Sequence, residues 1–556
     1  MPSIKLALFW LGAGLLLSLG LYYRLLGDGI PATHDGPIHV VRMVSYYTAL
    51  QQGQLPPRWG PNLANGLGYP VLNFNYPLAN IIAVVFLRLH LSYTLVYQLI
   101  SLIALCLGVV GICVLLYSFS QPWWVQFIAA SAYIANPFTV SHIFVRGGIG
   151  ETLFLGLMPW VLFFIRRLIR TPAFYWTLLL GLFGGILLLS HNVLVVFCIP
   201  FLGLFTCWQL WGRWNTVKRL FLPLLLAFLL SAFFWIPALA EKGLILVDDS
   251  SFLAQYSEHF LTWTELLTGS FGYGYSRPGP VDGFMFSVSE VEFVSLLLCL
   301  SWSFASIRKR YRYCLGILGL GFILWLTTYS SLSLWRLIPL GPYIQFPWRL
   351  LWFFHLGYAL FIGYWLKQLK GRISKGLIGF LVLLSLWQAL SSASPQYRVN
   401  RSNEEWLRAG ETTNTLNENS PKTFSMGTAY QVMGTMFGDQ YVWASTSSAQ
   451  IAITHWDGTK RHYSVTTPVT TTIVERTAFF AGWETRANGQ LLPLSGNDPW
   501  FAGLITYSIP AGSYTVDTQF TQHTPARMVG NILTLMGIGL FFGLGALEGY
   551  RYVHKK

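Results

Sequence analysis

Polar and apolar residues along this chain come in long blocks. Apolar runs cover residues 6–26, 94–117, 123–141, 150–165, 174–190, 193–211, 220–240, 293–307, 313–329, 348–366, 376–390 and 528–547. A helix needs roughly 20 apolar residues to cross a hydrocarbon core, so the pattern predicts about 12 transmembrane helices. One further apolar run, residues 78–89, is short for a span and carries Asn80 and Arg88. Between residues 395 and 525 the period changes. Ile505, Tyr507 and Ile509 alternate with polar neighbours, as do Tyr514, Val516, Thr518 and Phe520, and Ile451, Ile453 and His455. Pro510-Ala511-Gly512 and Asn488-Gly489 are turn signals. This stretch is expected to form an antiparallel, β-sandwich-like domain tethered by a span at each end.

Composition sharpens the picture. Of 556 residues, 54% are hydrophobic and 10% charged, whereas a soluble protein carries roughly 25% charged residues. The net charge of +14 resides in short clusters beside apolar runs. That is the positive-inside bias of membrane proteins, and it argues against a nucleic-acid partner. The clusters are Arg166, Arg167 and Arg170; Arg213, Lys218 and Arg219; Arg308, Lys309, Arg310 and Arg312; and Lys367, Lys370, Arg372 and Lys375. If residues 78–89 lie in the interface without crossing, every cluster falls in the cytoplasm, as do both termini with Lys555 and Lys556. The expected organisation is a polytopic α-helical body (1–392), an extracytoplasmic β-rich domain (393–526), and a last helix with its cytoplasmic tail (527–556). Residues 27–93 form the first extracytoplasmic loop. The run at 6–26 ends in Tyr22-Tyr23-Arg24 with no small-residue cleavage site, so it reads as an uncleaved first span. The expected location is the inner or plasma membrane. The six cysteines lie in or beside apolar runs and have neither disulfide nor zinc spacing.

On this topology the chemically suggestive residues gather on one side. A helix is expected to start after Asp35 in Thr33-His34-Asp35-Gly36-Pro37-Ile38-His39. His39 lies four residues past Asp35, and Arg42 three past His39, so acid, imidazole and guanidinium share a face. Asp35 reads either as a helix N-cap or as a general base beside an anion site. Arg58 follows in Gln54-Leu55-Pro56-Pro57-Arg58-Trp59, and Asn73-Phe74-Asn75-Tyr76 mixes amides with aromatics that suit either membrane anchoring or sugar faces. Arg146-Gly147-Gly148-Ile149-Gly150-Glu151 offers an ion pair at a span edge, either a helix lock or a functional pair. His191-Asn192 and Gln345-Phe346-Pro347-Trp348-Arg349 sit at further outer corners. Arg349 either pairs a phosphate or snorkels.

Together these stretches resemble the GT-C superfamily of membrane glycosyltransferases: one span, a long external loop holding an acid, then many spans. The same stretches resemble bacterial membrane proteins of the 6-pyruvoyl-tetrahydropterin-synthase-related type. The tail, with Phe480-Ala481-Gly482-Trp483 and Pro510-Ala511-Gly512, is similar to YfhO-like membrane proteins. The GT-C resemblance implies a polyprenyl-phosphate-linked sugar donor, a membrane lipid partner, and an envelope glycan, lipid or protein acceptor. It implies Asp35 as the catalytic carboxylate, with His34, His39, Arg42, Arg58, Arg146, Glu151, His191, Asn192 and Arg349 as candidates for the donor phosphate and substrate. Many GT-C members carry two acids close together in this loop; here Asp28 and Asp35 stand seven residues apart, which leaves a divalent metal open as a cofactor. His34 and His39 are too isolated for a three-ligand zinc site. A lipid-linked sugar transporter and a non-catalytic envelope assembly protein are the competing functional classes.

Overall fold

Ser3 accepts a hydrogen bond from the Leu6 amide (3.3 Å) and opens α1 (Ile4–Tyr22). The computed structural model describes residues 3–248, 255–269, 271–277, 279, 282–304, 306–369, 372–410, 418–438, 440–498, 500, 501 and 503–554. Lys370, Lys555, Lys556 and part of the loop at 241–292 lie outside them. After α1 come α2 (Gly36–Gln51), α3 (Leu78–Leu87), α4 (Tyr93–Ser118), α5 (Trp123–Ile134), α6 (Pro137–Ser141) and α7 (Ile149–Arg170). Next are α8 (Tyr175–Leu188), α9 (Asn192–Phe197), α10 (Ile199–Leu210) and α11 (Phe221–Ala240). Helices Glu290–Phe304, Ile307–Leu326, Leu351–Leu366 and Arg372–Ser392 precede the sheets, and Pro525–His554 ends the chain.

The body is thus mostly helical, with several apolar helices. Among the described residues, 6 helical stretches are long and apolar enough to cross a membrane, or up to 7 with the α5–α6 segment, which bends by 47° at its break. Helices α3, α8 and Gly379–Ser392 are apolar but shorter. The expectation of about 12 spans therefore needs short helices to cross as well. Helix α3, with 10 residues, rises about 15 Å, half of a hydrocarbon core. That length fits the interfacial reading. Large apolar side chains on the last helix, such as Leu535 and Phe542, are exposed, as lipid-facing positions are.

The C-terminal region is built of sheets. Strands β1 (Ile30–Pro31) and β2 (Arg398–Val399) pair antiparallel and join the first loop to the start of this region. Strands β3 (Val442–Ala444), β4 (Gln450–Trp456), β5 (Lys460–Thr467), β6 (Thr471–Ala478), β7 (Trp483–Ala487), β8 (Gln490–Leu492), β9 (Leu504–Ile509) and β10 (Gly512–Phe520) follow. They form a 5-stranded sheet, β4-β5-β10-β7-β8, and a 3-stranded sheet, β3-β6-β9. All pairings are antiparallel. The β5 side chains alternate exposed and buried along the strand, so one face turns to a core shared by Tyr463, Val465, Val516, Ile473 and Ile505. Asn488 and Gly489, both at positive φ, turn β7 into β8 as their sequence signals.

The first loop is part of this core, which sequence periodicity alone does not reveal. Trp59 is fully buried among the sheet residues, with ring centroids 5.5 Å from Trp483 and 5.4 Å from Phe520. Beside it, Pro237 in α11 has no N–H to give the Phe233 carbonyl four residues back. That carbonyl accepts instead from Arg58 Nη2 (2.9 Å). Arg58 also donates to Asn73 Oδ1 (2.9 Å), Gln522 Oε1 (2.6 Å) and Asn531 Oδ1 (3.0 Å). Glu241, just past α11, accepts from Asn73 Nδ2 (2.9 Å) and from Arg527 Nε and Nη2 (3.1 and 2.8 Å). One buried polar network therefore ties first loop, α11 and last helix together.

Breaking a buried ion pair on one side strands the other charge, at a cost of about 3–5 kcal/mol. Arg527→Met is therefore expected to lower the thermal unfolding midpoint of the detergent-solubilised chain markedly. An unchanged midpoint would show that the Glu241–Arg527 pair holds nothing.

Candidate functional site

Helix α2 begins where the sequence predicts, but Asp35 is not its side-chain cap. Thr33 Oγ1 accepts from the Gly36 amide (3.0 Å), while the Asp35 side chain makes no capping bond. The carboxylate turns instead to Arg146, with Nη2 3.2 Å from Oδ2. Arg146 ends a π-helical turn, His142–Arg146, that closes on Gly147 at φ 71°. A Cβ at Gly147 would lie 2.0 Å from Thr33 Oγ1, so only glycine admits this contact between the turn and the first loop. Backbone bonds clamp the same junction: the His34 and Asp35 amides donate to the Val145 and Arg146 carbonyls, each at 2.9 Å.

Glu151, in the first turn of α7, is the hub. It is 1% exposed. Arg349 Nε donates to its Oε1 (3.1 Å) and Trp352 Nε1 to its Oε2 (2.9 Å). Arg146 Nη2 stands 3.8 Å away, His191 Nε2 3.6 Å and His142 Nδ1 3.7 Å. Arg349 is held further by the Ile344 carbonyl and Gln345 Oε1, both at 2.8 Å. The Arg146 and Arg349 guanidinium groups also face the Phe346 ring, at 5.2 and 5.0 Å from its centroid.

Most of these groups, though not Trp352 or His142, line a cavity of about 570 Å³. Asp35, His39 and Arg42 all reach it from α2, as their spacing predicts, and so do Arg146, Glu151, His191, Asn192 and Arg349. One wall is apolar, with Val196, Phe197, Trp235 and Leu239. His39 Nε2 lies 3.4 Å from the Tyr76 hydroxyl, and the Tyr76 ring packs 4.8 Å from that of His191. Asn192 Nδ2 donates to the Phe74 carbonyl (2.7 Å). Arg42 is 8% exposed, its Nε has no hydrogen-bond partner, and among the described residues no carboxylate forms an ion pair with it.

Two expected site residues stand elsewhere. Arg58 is committed to the buried network described above and does not line the cavity. His34 stacks on Tyr275, centroids 4.1 Å apart, beside the cavity and not on its lining. Other lining residues carry no local signal in the sequence. Lys242, which donates to the Tyr343 hydroxyl (3.2 Å), and Glu418 with Asn419 arrive from distant segments. Trp352 sits inside an apolar run and His142 just past the end of one, so both look like core residues there; neither lines the cavity.

The electrostatics follow from this packing. Burial raises the Asp35 carboxyl, but the charge of Arg146, with smaller contributions from His39 and His34, outweighs it and holds the group below the ordinary carboxylate range. Burial, with Arg42 and Arg146 adding, pushes His39 down to about 3; burial and Arg146 push His34 down to about 4. Both imidazoles are therefore neutral at physiological pH, so the positive charge near the cavity is carried by arginine and lysine. The donor set does not suit a divalent metal. The Asp35 and Glu151 carboxylates each face a guanidinium, and among the described residues no group of three or more His, Cys, Asp or Glu side chains is arranged to hold a metal ion.

A family model described as 6-pyruvoyl-tetrahydropterin synthase related domain, membrane protein, matches residues 73–398. The chain belongs to this family. The match covers the span-rich body, from Asn73 in the first loop to Arg398 in β2. This family member is 24% identical over 285 residues to an uncharacterized protein of Lactococcus lactis subsp. cremoris (strain MG1363), covering 48% of this chain and 46% of that protein. It thus spans about half the length of the curated relative that it matches. Among solved structures it is similar to ArnT from Cupriavidus metallidurans bound to undecaprenyl phosphate, at 16% identity and TM-score 0.38 over 69% of this chain and 64% of that one. It is also similar to the arabinofuranosyltransferase AftD from Mycobacteria, at 18% identity and TM-score 0.41 over 70% and 27%. A third is the Archaeoglobus fulgidus oligosaccharyltransferase AglB in complex with an inhibitory peptide and a dolichol-phosphate, at 11% identity and TM-score 0.35 over 73% and 56%. The family read from the sequence is shown here; the solved structures overlap this chain only loosely and in part.

Glu151→Ala would leave Arg349 and Trp352 Nε1 without their buried acceptor, a loss of about 3–5 kcal/mol. Glu151→Gln, which keeps an acceptor oxygen, is expected to fall between it and the parent in thermal stability. Equal midpoints for all three proteins would contradict the hub role.

Proposed function

We propose that this membrane protein is a glycosyltransferase that moves a sugar from a polyprenyl-phosphate donor to an envelope acceptor at the extracytoplasmic face, with both termini in the cytoplasm. The single observation that carries this reading is the pairing, on one face of α2, of an ionised Asp35 with a buried Arg42 that forms no ion pair among the described residues. Seven residues of helix separate them, a rise of about 10 Å. That interval suits a sugar held between an acceptor oxygen at the carboxylate and a phosphate at the guanidinium.

In the proposed reaction Asp35 orients the acceptor hydroxyl and takes its proton as the new bond forms at the anomeric carbon. The bond from that carbon to the phosphate oxygen breaks, and its electron pair leaves with the phosphate. The lipid phosphodiester, singly charged, becomes a phosphomonoester with a second charge developing, which Arg42 stabilises. The low basicity that Arg146 imposes on Asp35 makes the carboxylate a weak base but keeps it ionised and aimed. Neutral His39 and Tyr76 supply hydrogen bonds to sugar hydroxyls, and the apolar wall takes the first isoprene units. Glu418 and Asn419, from the segment leading into the sheets, lie on the acceptor side.

In proteoliposomes supplied with a polyprenyl-phosphate sugar and native membrane acceptors, Asp35→Asn is expected to cut transfer by roughly 10²–10⁴-fold while leaving donor binding intact. Undiminished transfer would favour a transporter or an assembly protein. Arg42→Gln is expected to weaken donor binding by roughly 10- to 100-fold.

The pH dependence follows from the charge states. Neither histidine titrates between pH 5 and 8, and a sugar-linked phosphodiester stays singly charged there. Donor binding, measured by fluorescence titration, should therefore be flat across that range. The acid limb of the transfer rate should lie below the ordinary Asp value of 3.8. Arg146→Met removes the charge that lowers Asp35, so the limb should move up in pH; a limb that stays put would contradict the assignment.

A further inference from the structure

The far ends of the two helices that carry the hub residues enclose a second cavity. Helix α7 starts at Glu151's turn and reaches Arg167 after 16 residues, about 24 Å. Helix Leu351–Leu366 starts beside Arg349 and Trp352 and reaches Lys367 after 15 residues from Trp352, about 22 Å. There Arg167 and Lys367 line a cavity of about 550 Å³ with Tyr117, Ser118, Ser120, Gln121 and Pro122. These last residues are the end of α4 and the turn into α5.

The turn is fixed by its own bonds. Ser120, at φ 58°, donates its amide to the Tyr117 carbonyl (2.8 Å), and the Gln121 amide donates to the Leu116 carbonyl (3.2 Å). The Ser120 carbonyl thereby faces outward and accepts from Lys367 Nζ (3.0 Å). Arg167 stacks over the Trp176 ring, 4.9 Å from its centroid. Neither cation has a carboxylate partner among the described residues, and no carboxylate lines the cavity. Gln121 is 5% exposed, and its Oε1 is buried with no donor to satisfy it. Such an atom is satisfied if the side-chain amide turns toward a ligand hydroxyl in the cavity that Gln121 lines. Trp123, 60% exposed, and Tyr117, 38% exposed, flank the opening, as aromatic side chains do at the headgroup level of a bilayer.

We propose that this pocket binds the headgroup of one anionic glycerophospholipid bearing a free headgroup hydroxyl, such as phosphatidylglycerol, on the membrane face opposite the Asp35 cavity. Arg167 and Lys367 take the phosphate. Gln121 Oε1 accepts from a headgroup hydroxyl. The acyl chains lie along α1 and α5 beside Trp123. The bound lipid holds together the ends of α7 and Leu351–Leu366, whose other ends set Glu151 against Arg349.

The test uses the delipidated full chain in detergent, titrated with phosphatidylglycerol, phosphatidic acid or phosphatidylcholine, with retention read by native mass spectrometry. One phosphatidylglycerol is expected to be retained, with a preference over phosphatidylcholine on the order of 30-fold for two basic contacts. Arg167→Gln with Lys367→Gln should abolish that preference. Gln121→Leu should remove the advantage of phosphatidylglycerol over phosphatidic acid, which lacks the headgroup glycerol hydroxyls, and leave the preference over phosphatidylcholine intact. Lys367→Gln alone, at an exposed side chain, should cut the preference to roughly 5-fold and serves as the test should the double variant unfold. Headgroup indifference in the parent, or full retention by a folded Lys367→Gln chain, would overturn the proposal. Displacement by millimolar glycerol phosphate would also overturn it, by making the site one for a free phosphate ester.

Discussion

The site depends on one buried carboxylate. Glu151 stands at a helix start in apolar surroundings, where an uncompensated charge is prohibitively costly. Its compensation comes from separate pieces of chain: Arg146 and His142 from the turn before α7, His191 from the turn before α9, and Arg349 with Trp352 from the start of a late helix. Satisfying this charge brings four chain segments to one point. Arg146 spans the gap from that point to Asp35, so the catalytic candidate is placed by an interaction in which it is only the last link.

The same logic operates on the other side of the first loop. Pro237 frees a carbonyl and Arg58 takes it; Glu241 and Arg527 close the network. The first loop is thereby held between the helical body and the sheets, with Trp59 inside the sheet core. One end of the cavity accordingly meets the body at Glu151, and the other meets Glu418 and Asn419 from the segment before the sheets. The two polar networks hold α2, which carries both Asp35 and Arg42, between them.

Local periodicity made much of this legible. The i, i+4, i+7 register of Asp35, His39 and Arg42 depends only on helix geometry, and it holds. The strand alternation at residues 504–509 and 512–520 marks β9 and β10, and Asn488-Gly489 marks their neighbouring hairpin. The charge clusters beside apolar runs led to the expectation that these corners share one side, and Asp35 and His191 do line one cavity. What stayed hidden is non-local. Arg58 looks like a free loop cation until Gln522 and Asn531, 464 and 473 residues away, arrive to bind it. Asp35 reads as a cap because it precedes Gly-Pro, yet the Thr33 hydroxyl is nearer the free amide. Trp352 and His142 are indistinguishable from core aromatics without the carboxylate that they face. The number of spans is blurred for a different reason: helices of 10 to 16 residues are helical by their sequence, and whether they cross depends on neighbours that cover them.

In the proposed reaction a lipid phosphate sits at Arg42 with Asp35 across the sugar from it. An electron cryomicroscopy structure of the chain in nanodiscs with a polyprenyl-phosphate sugar tests it most directly. The account predicts phosphate density against the Arg42 guanidinium, the sugar beneath Tyr76, and the isoprene chain on the Phe197–Trp235 wall. Density for the phosphate away from α2, or an empty cavity at saturating lipid, would contradict it.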